Sequence, residues 1–313
     1  MVKDRSLWSF WHRFESGRGY LQHLVSIHDL SDKEMRGILE AAAGMEQQGQ
    51  RERLVDRIVC TAFFEPSTRT RLSFEAAAHR LGARVLGFSD PANTSTSKGE
   101  SLEDTVRMMG GYSDLIVMRH PKEGAARAAT VVSSVPIVNA GDGPGEHPTQ
   151  TLLDVYTMQK ACGDVRGLKV ALVGDLKFGR TVHSLVPALH RLGAKPVAVA
   201  APGLGLPAKL SDGIPETDLE TAARECDVLY MTRVQRERFT DASEYERVKL
   251  HYTVDADLLA RTASKAIVLH PLPRVGEIAT DVDALPAAKY FDQARNGVPV
   301  RMAVLAHLLE RAA

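Results

Sequence analysis

Cysteine is scarce in this 313-residue chain: Cys60, Cys162 and Cys226 are odd in number and too scattered for a metal quartet or a disulfide framework. That excludes a disulfide scaffold and points to small buried thiols in a reducing cytoplasm. Net charge is absent as well, with 39 basic against 39 acidic residues, so no global field draws the protein to nucleic acid or an anionic membrane. Any anion it binds must be held by a local cluster of basic groups. No apolar run approaches the ~20 residues of a spanning helix, and the first residues lack the apolar stretch of a signal peptide. Aromatics are few, at 6%, and both tryptophans, Trp8 and Trp11, fall at the start of the chain. There Leu7, Phe10, Trp11 and Phe14 recur at helical spacing, which predicts one amphipathic helix that docks on this chain or a partner and does no chemistry, with a frayed, unanchored terminus as the alternative.

What is present is a 44% hydrophobic, 25% charged composition, that of a globular protein long enough for two domains. Ser31-Asp-Lys-Glu34 reads as a capping box opening a helix through Ala43. A buried strand follows at Arg57 to Phe64, then a loop, a helix from Leu72 to Leu81 and a strand at Arg84 to Phe88. The pattern recurs: a helix through Met109, a strand at Asp114 to Met118, a helix around Ala125 to Ser133 and a strand at Pro136 to Asn139. After a glycine-rich break, a helix from about His147 to Gln159 opens a second series, with strands at Lys169 to Val173, Val197 to Ala200, Val228 to Met231 and Ala266 to Leu269. A last helix is expected from about Val300 to Glu310. Alternation of short apolar strands with helices predicts α/β architecture: two domains hinged near residue 148, each a mainly parallel sheet flanked by helices. Ligands of such sheets bind beyond the carboxyl ends of the strands, so the loops there carry the search.

The loop Ser67-Thr-Arg-Thr70 follows a strand and opens a helix. Its helix N-terminus, hydroxyls and guanidinium are all donors, which suits a phosphate. The same loop also reads as a plain N-cap with solvated arginines, and the residues by themselves leave both open. Arg119-His-Pro stands at the next strand end. In Gly141-Asp-Gly-Pro-Gly-Glu-His-Pro-Thr-Gln150 the glycines let backbone approach a ligand, and His147 and Gln150, three apart, share a helix face. His270-Pro-Leu-Pro-Arg274 has a shape fixed by two prolines, leaving carbonyl oxygens as acceptors. The second half adds Gly174-Asp-Leu-Lys-Phe-Gly-Arg-Thr181 and Met231-Thr-Arg-Val-Gln-Arg-Glu-Arg238. The former misses a nucleotide P-loop because Arg180 stands where the lysine belongs, and Gly203-Leu-Gly-Leu-Pro-Ala208 fits a dinucleotide fingerprint only with proline at the helix start.

Phe64-Glu-Pro-Ser-Thr-Arg-Thr-Arg71, Arg119-His-Pro, His147-Pro-Thr-Gln150 and His270-Pro-Leu-Pro273, in this order, resemble the carbamoyl-phosphate-binding set of the transcarbamoylase family. Asp175-Leu-Lys-Phe-Gly-Arg-Thr-Val-His183 and Met231-Thr-Arg-Val-Gln235 resemble its aspartate branch, and the likeness runs from about Leu24 to the C-terminus. It implies transfer of the carbamoyl group from carbamoyl phosphate to L-aspartate, giving N-carbamoyl-L-aspartate and phosphate in pyrimidine synthesis, without metal or organic cofactor. It further implies a carbamoyl-phosphate domain of residues 1–148 plus 297–313, to which the C-terminal helix returns, with 1–23 an extension outside the likeness, and an aspartate domain of residues 149–296.

By the same resemblance Ser67, Thr68, Arg69 and Thr70 hold the phosphate and Arg119 bridges to the carbamoyl oxygen. Thr70, Arg119 and His147 donate to that oxygen, while Gln150 and the carbonyls of Pro271 and Leu272 accept from the carbamoyl NH2. Arg180 takes one aspartate carboxylate and Arg233 with Gln235 the other, with Lys98 and Leu272 alongside. The loop Asn93-Thr-Ser-Thr-Ser-Lys-Gly-Glu100 resembles one that reaches into a neighbouring subunit, with Lys98 and Ser95 as its contributors, which implies a homotrimer with shared sites. Glu65 is expected to bridge to Arg180 and Arg238 as the domains close. A regulatory chain or dihydroorotase partner, cooperativity and nucleotide effectors are left open.

Two departures from the pattern adjoin the site, and a third falls on the surface. Gly276 replaces an acidic residue, Pro144-Gly-Glu146 replaces an amide-bearing run, and Pro202 to Leu219 is short enough to trim a surface helix. The ornithine branch is the nearest rival, but it carries cysteine where Pro271 stands, and Arg233 suits an anionic rather than a cationic side chain. A carbamoyltransferase for another amine and a non-catalytic ligand-binding homologue are the remaining alternatives.

Overall fold

The computed structural model describes residues 23–48, 53–201, 203–233 and 252–311. Helix α1 (Asp32–Gln48) starts at the expected capping box: the Ser31 and Glu34 side chains each accept the other's backbone N–H, at 3.2 and 2.9 Å respectively. Its apolar residues Met35, Ile38, Leu39, Ala42 and Met45 form one buried stripe.

The first sheet contains β1 (Ile58–Phe63), β2 (Arg84–Phe88), β3 (Leu115–His120) and β4 (Ile137–Asp142), in the order β2-β1-β3-β4. Helices α2 (Thr68–Arg80), α3 (Leu102–Tyr112) and α4 (Ala125–Val132) connect them. All pairings are parallel, with Val59 opposite Val85 and Leu115, and Val117 opposite Val138. Because every strand is followed by a helix, the chain returns to the same sheet end each time, and β1, β3 and β4 are buried on both faces. Leu24 adds a parallel bridge at the edge of β4.

Helix α5 (Pro148–Cys162) leads into the second sheet, β5 (Lys169–Gly174), β6 (Lys195–Ala200), β7 (Val228–Met231) and β8 (Ile267–Leu269), ordered β6-β5-β7-β8 and again all parallel. Pro196 is tolerated in β6 because that strand is an edge. The connecting helices are α6 (Arg180–Leu192), the four-residue α7 (Ala208–Ser211), α8 (Leu219–Glu225) and α9 (Ala256–Arg261).

The final helix α10 (Tyr290–Arg311) begins ten residues before the expected Val300, with Pro299 inside it. Proline reads as a helix start because it lacks an N–H, but packing overrides that signal here. Helix α10 lies on α1, α2 and α5, and Val300, Val304, Leu305 and Leu308 are all buried. The strands differ from expectation by no more than three residues at either end, the usual uncertainty of hydrogen-bonded boundaries. A continuous apolar core joins both sheets through α5, whose Leu152, Leu153, Val155 and Met158 are buried on every side. Among the described residues no helix is long and apolar enough to cross a membrane.

In each sheet the order reverses once. From β1 the chain goes to β2 on one side and then crosses to β3 on the other; β5, β6 and β7 repeat the manoeuvre. The loops after β1 and β3, and after β5 and β7, therefore diverge and leave a crevice at the carboxyl end of each sheet.

Candidate functional site

The first crevice gathers the loops singled out in the sequence. The N–H of Phe64 donates to the carbonyl of Arg119 at 2.9 Å, so the ends of β1 and β3 are locked side by side. Ser67 is the N-cap of α2, in extended conformation, and its hydroxyl makes no capping hydrogen bond. The helix thus presents N–H groups, Thr68 and Arg69 at the surface, and a buried Thr70. Burial pulls the Arg69 guanidinium below its ordinary pKa.

Arg119 is 8% exposed, donates to the carbonyl of Ala140 at 3.3 Å and forms an ion pair with Glu65. Arg180, the first residue of α6 in the second half, reaches the same Glu65 oxygen at 3.0 Å and the carbonyl of Gly143 at 2.8 Å. Glu65 thus spans the crevice, from Arg119 to Arg180; Arg238 lies outside the described residues. Burial pushes the Glu65 carboxyl up, yet the two guanidiniums outweigh it and hold it below the ordinary carboxylate range. For Arg119, burial and the nearby Arg180 and Arg69 cations outweigh Glu65 and draw its pKa down. Gly141, at φ +114°, is required at this point: a Cβ there would lie 3.1 Å from Nη1 of Arg119 and 3.3 Å from Cζ of Arg180.

His147 caps α5, and its N–H donates to the Ser184 hydroxyl on α6 at 2.9 Å. Its ring is 4% exposed, with Nδ1 buried and unpartnered. Burial first, then Arg119, Arg180 and Arg301, lowers its pKa well below the ordinary value, so the imidazole is neutral at pH 7. Gln150 is held one turn on, its Nε2 donating to Oδ1 of Asp154 at 2.8 Å. Pro271 and Leu272 follow β8; Leu272 has φ +57° and donates its N–H to Nδ1 of His270 at 2.7 Å, which places the ring proton on Nε2, facing Glu277 at 2.7 Å.

The remaining expected residues fall into two groups. Ser95 and Lys98 lie in an exposed one-turn helix against α3, where Lys98 has no ion pair or side-chain hydrogen bond among the described residues. Arg233, half-buried, stands two residues past the end of β7, whereas Gln235 and the N-terminal segment with both tryptophans lie outside the described residues. Among the described residues no cluster of three or more His, Cys, Asp or Glu suits a metal ion.

Several residues here escaped the sequence reading. Arg301, on α10, is fully buried behind α2, donates to the Ser73 hydroxyl at 2.6 Å and stacks 4.8 Å over the Phe74 ring; burial lowers it to about 9. Asp154, Tyr230, Gln293 and Glu277 form buried polar contacts behind Gln150 and His270. An arginine within the apolar run Val298 to Leu309 and an aspartate four residues after Gln150 were the available signals; Gln293 and Tyr230 gave none. The two departures beside the site also have local reasons. Gly276 adopts φ +117°, and a Cβ at Gly145 would come within 2.9 Å of the Asp142 carboxylate.

Two family models match nearly the whole described chain: the carbamoyl-P binding domain of aspartate/ornithine carbamoyltransferase over residues 22–160, and the Asp/Orn binding domain over 166–308. The chain belongs to the aspartate/ornithine carbamoyltransferase family. It is 48% identical over 298 residues to the aspartate carbamoyltransferase catalytic subunit of Chromobacterium violaceum, covering 93% of this chain and 98% of that one. Within the family, the solved catalytic subunit of M. jannaschii aspartate transcarbamoylase superposes with a TM-score of 0.85 at 47% identity, over 92% of this chain and 98% of that one. Aspartate transcarbamoylase of Trypanosoma cruzi, in complex with carbamoyl aspartate and phosphate, gives 0.86 at 40% identity, over 92% and 96%.

Proposed function

We propose that this chain is an enzyme that transfers the carbamoyl group of carbamoyl phosphate to the amino group of L-aspartate, giving N-carbamoyl-L-aspartate and phosphate for pyrimidine synthesis. The observation that carries this reading is the meeting of Arg119 and Arg180, from the ends of two sheets, at one carboxylate beside a neutral, buried His147. The names of the relatives and the product bound to the Trypanosoma cruzi enzyme support it.

In this mechanism the N-terminus of α2, with Ser67, Thr68, Arg69 and Thr70, holds the phosphate, and Arg119 exchanges Glu65 for the ligand. The aspartate nitrogen attacks the carbamoyl carbon, a C–N bond forms and the C–O bond to phosphate breaks. The departing phosphate takes the electron pair and then the ammonium proton. Negative charge gathers on the carbamoyl oxygen, to which Thr70, Arg119 and His147 donate; one such donor is typically worth about 3–4 kcal/mol of barrier. A neutral His147 serves here as a hydrogen-bond donor rather than as an acid. Gln150 and the carbonyls of Pro271 and Leu272 accept from the carbamoyl NH2. Arg180 binds one aspartate carboxylate; Arg233 and Gln235 bind the other, since a guanidinium fork matches a carboxylate. Glu65 is then released to draw the domains together through Arg180 and Arg238.

The assembly in this reading is a cytoplasmic homotrimer in which Lys98 and Ser95 complete a neighbour's site. Their exposure supports it, as does the absence of an ion pair or side-chain hydrogen bond at Lys98 among the described residues.

The purified protein is expected to carbamoylate L-aspartate and leave L-ornithine essentially untouched, with Arg233→Ala raising the KM for aspartate about tenfold or more. Comparable turnover of ornithine overturns the assignment. Native mass should correspond to three chains, and mixed Lys98→Ala and His147→Ala trimers should regain activity that neither parent has; no regain overturns the shared site.

A further inference from the structure

Gln150 and the Pro271–Leu272 turn come from different parts of the chain, yet one unbroken set of hydrogen bonds joins them. Gln150 Nε2 and Gln293 Nε2 both donate to Oδ1 of Asp154, at 2.8 and 2.7 Å, and the Tyr230 hydroxyl donates to Oδ2 at 2.8 Å. Gln293 turns its Oε1 to the N–H of His270, at 2.7 Å, and His270 Nδ1 takes the N–H of Leu272 at 2.7 Å. Asp154 is completely buried at the centre of this set, on the face of α5 turned to both β7 and α10.

We propose that Asp154 is the positioning residue of the carbamoyl-amide pocket, fixing the Gln150 amide with its oxygen outward and, through Gln293 and His270, setting the register of the Leu272 carbonyl against it. The proposal rests on the carbamoyltransferase reading above. Its physical basis is the symmetry of an amide: NH2 and oxygen have nearly the same shape, and only their partners decide which end faces a ligand. Oδ1 of Asp154 remains an acceptor whether or not Oδ2 carries a proton, so it takes the NH2 of Gln150 and leaves the oxygen for the donor NH2 of a carbamoyl group. With the amide reversed, two NH2 groups would face each other and the pocket would lose an acceptor. A buried carboxylate is also an expensive way merely to fill space, since apolar replacements of such groups are often neutral or stabilising. A role in orientation accounts for its presence where packing alone does not.

The test compares Asp154→Leu, Asp154→Asn and Gln150→Ala, singly and with Asp154→Leu and Gln150→Ala combined, in the full chain. The readouts are the KM values for carbamoyl phosphate and aspartate, and the upward shift in melting temperature produced by carbamoyl phosphate. Asp154→Leu is expected to raise the carbamoyl-phosphate KM about 10- to 100-fold, the scale of one or two lost hydrogen bonds, with the aspartate KM changed far less. Asp154→Asn keeps an oxygen for both glutamines while its NH2 meets the Tyr230 oxygen, and should stay within about threefold of the parent. In the Gln150→Ala background, Asp154→Leu should cost clearly less than in the parent, because only the Leu272 arm is left for it to disturb. An unchanged carbamoyl-phosphate KM in a folded Asp154→Leu protein, or the same loss with and without Gln150, overturns the proposal. If Asp154→Leu fails to fold, Gln293→Leu and Tyr230→Phe decide: the first should weaken carbamoyl-phosphate binding and the second hardly at all, and equal effects overturn the proposal. Should the parent protein not carbamoylate aspartate, the functional reading fails on its own. The carbamoyl-phosphate melting shift then still tests Asp154, since it needs no turnover.

Discussion

Two buried polar clusters meet along α5 and treat charge in opposite ways. Around Glu65, cations crowd together: Arg119 and Arg180 share one carboxylate, with Arg69 and His147 close enough to feel them. Around Asp154 a single carboxyl group is surrounded by the neutral donors of Gln150, Gln293 and Tyr230, with Arg301 acting only at longer range. The first arrangement carries more positive charge than its own acid can neutralise and so favours a second anion. The second has its hydrogen bonds matched within the chain and so fixes geometry. One cluster sets affinity for charge; the other sets the orientation of a neutral group.

The comparison predicts unequal costs. Arg119→Ala should lower kcat/KM by about a thousandfold, the upper range for removing one donor to a developing oxyanion. Steady-state kinetics check this, and a loss under tenfold would take Arg119 out of the reacting centre. Glu65→Gln should cost less, on the order of tenfold, because it weakens closure rather than removing a donor to the substrate. It should also change the acid limb of stability. Since the native Glu65 pKa is depressed, its ion pairs stabilise the fold above the ordinary carboxylate value of 4.5 and lose that effect as pH falls through the lower native value. Melting temperatures measured from pH 6 to 3 should fall less steeply in Glu65→Gln than in the parent.

The Asp154 cluster behaves with the opposite sign. Burial raises its carboxyl from the ordinary 3.8 to about 7 against three hydrogen bonds. The native state therefore binds this proton more tightly than the unfolded chain. Its contribution is fully present below about 3.8 and is lost as pH rises through about 7. Asp154→Asn removes the titration, so melting temperature should decline less between pH 5 and 8 than in the parent. Identical slopes for the two proteins would place the Asp154 pKa near its ordinary value.

Much of this was legible before folding was considered. The alternation of apolar strands and helices gave the two parallel sheets because it is a local property of the chain, and the loops carrying Ser67, Arg119, His147 and Arg180 stand out because glycine, proline and basic residues interrupt apolar runs. The early start of α10 was hidden by Pro299, whose local preference is overruled by packing against α1, α2 and α5. The second cluster was hidden for a different reason. Asp154, Tyr230, Gln293 and His270 come from α5, β7, α10 and the loop after β8, and no spacing along the chain relates them.

By itself, then, the sequence determined which segments become strands and which loops bear donors, because periodicity and turn chemistry act over a few residues. The tertiary structure alone decided that Arg119 and Arg180 meet on Glu65, that His147 is stripped of water and left neutral, and that a carboxylate holds the Gln150 amide in one orientation. Those outcomes depend on desolvation and on distances between residues far apart in sequence, which exist only once both sheets and α10 have packed around α5.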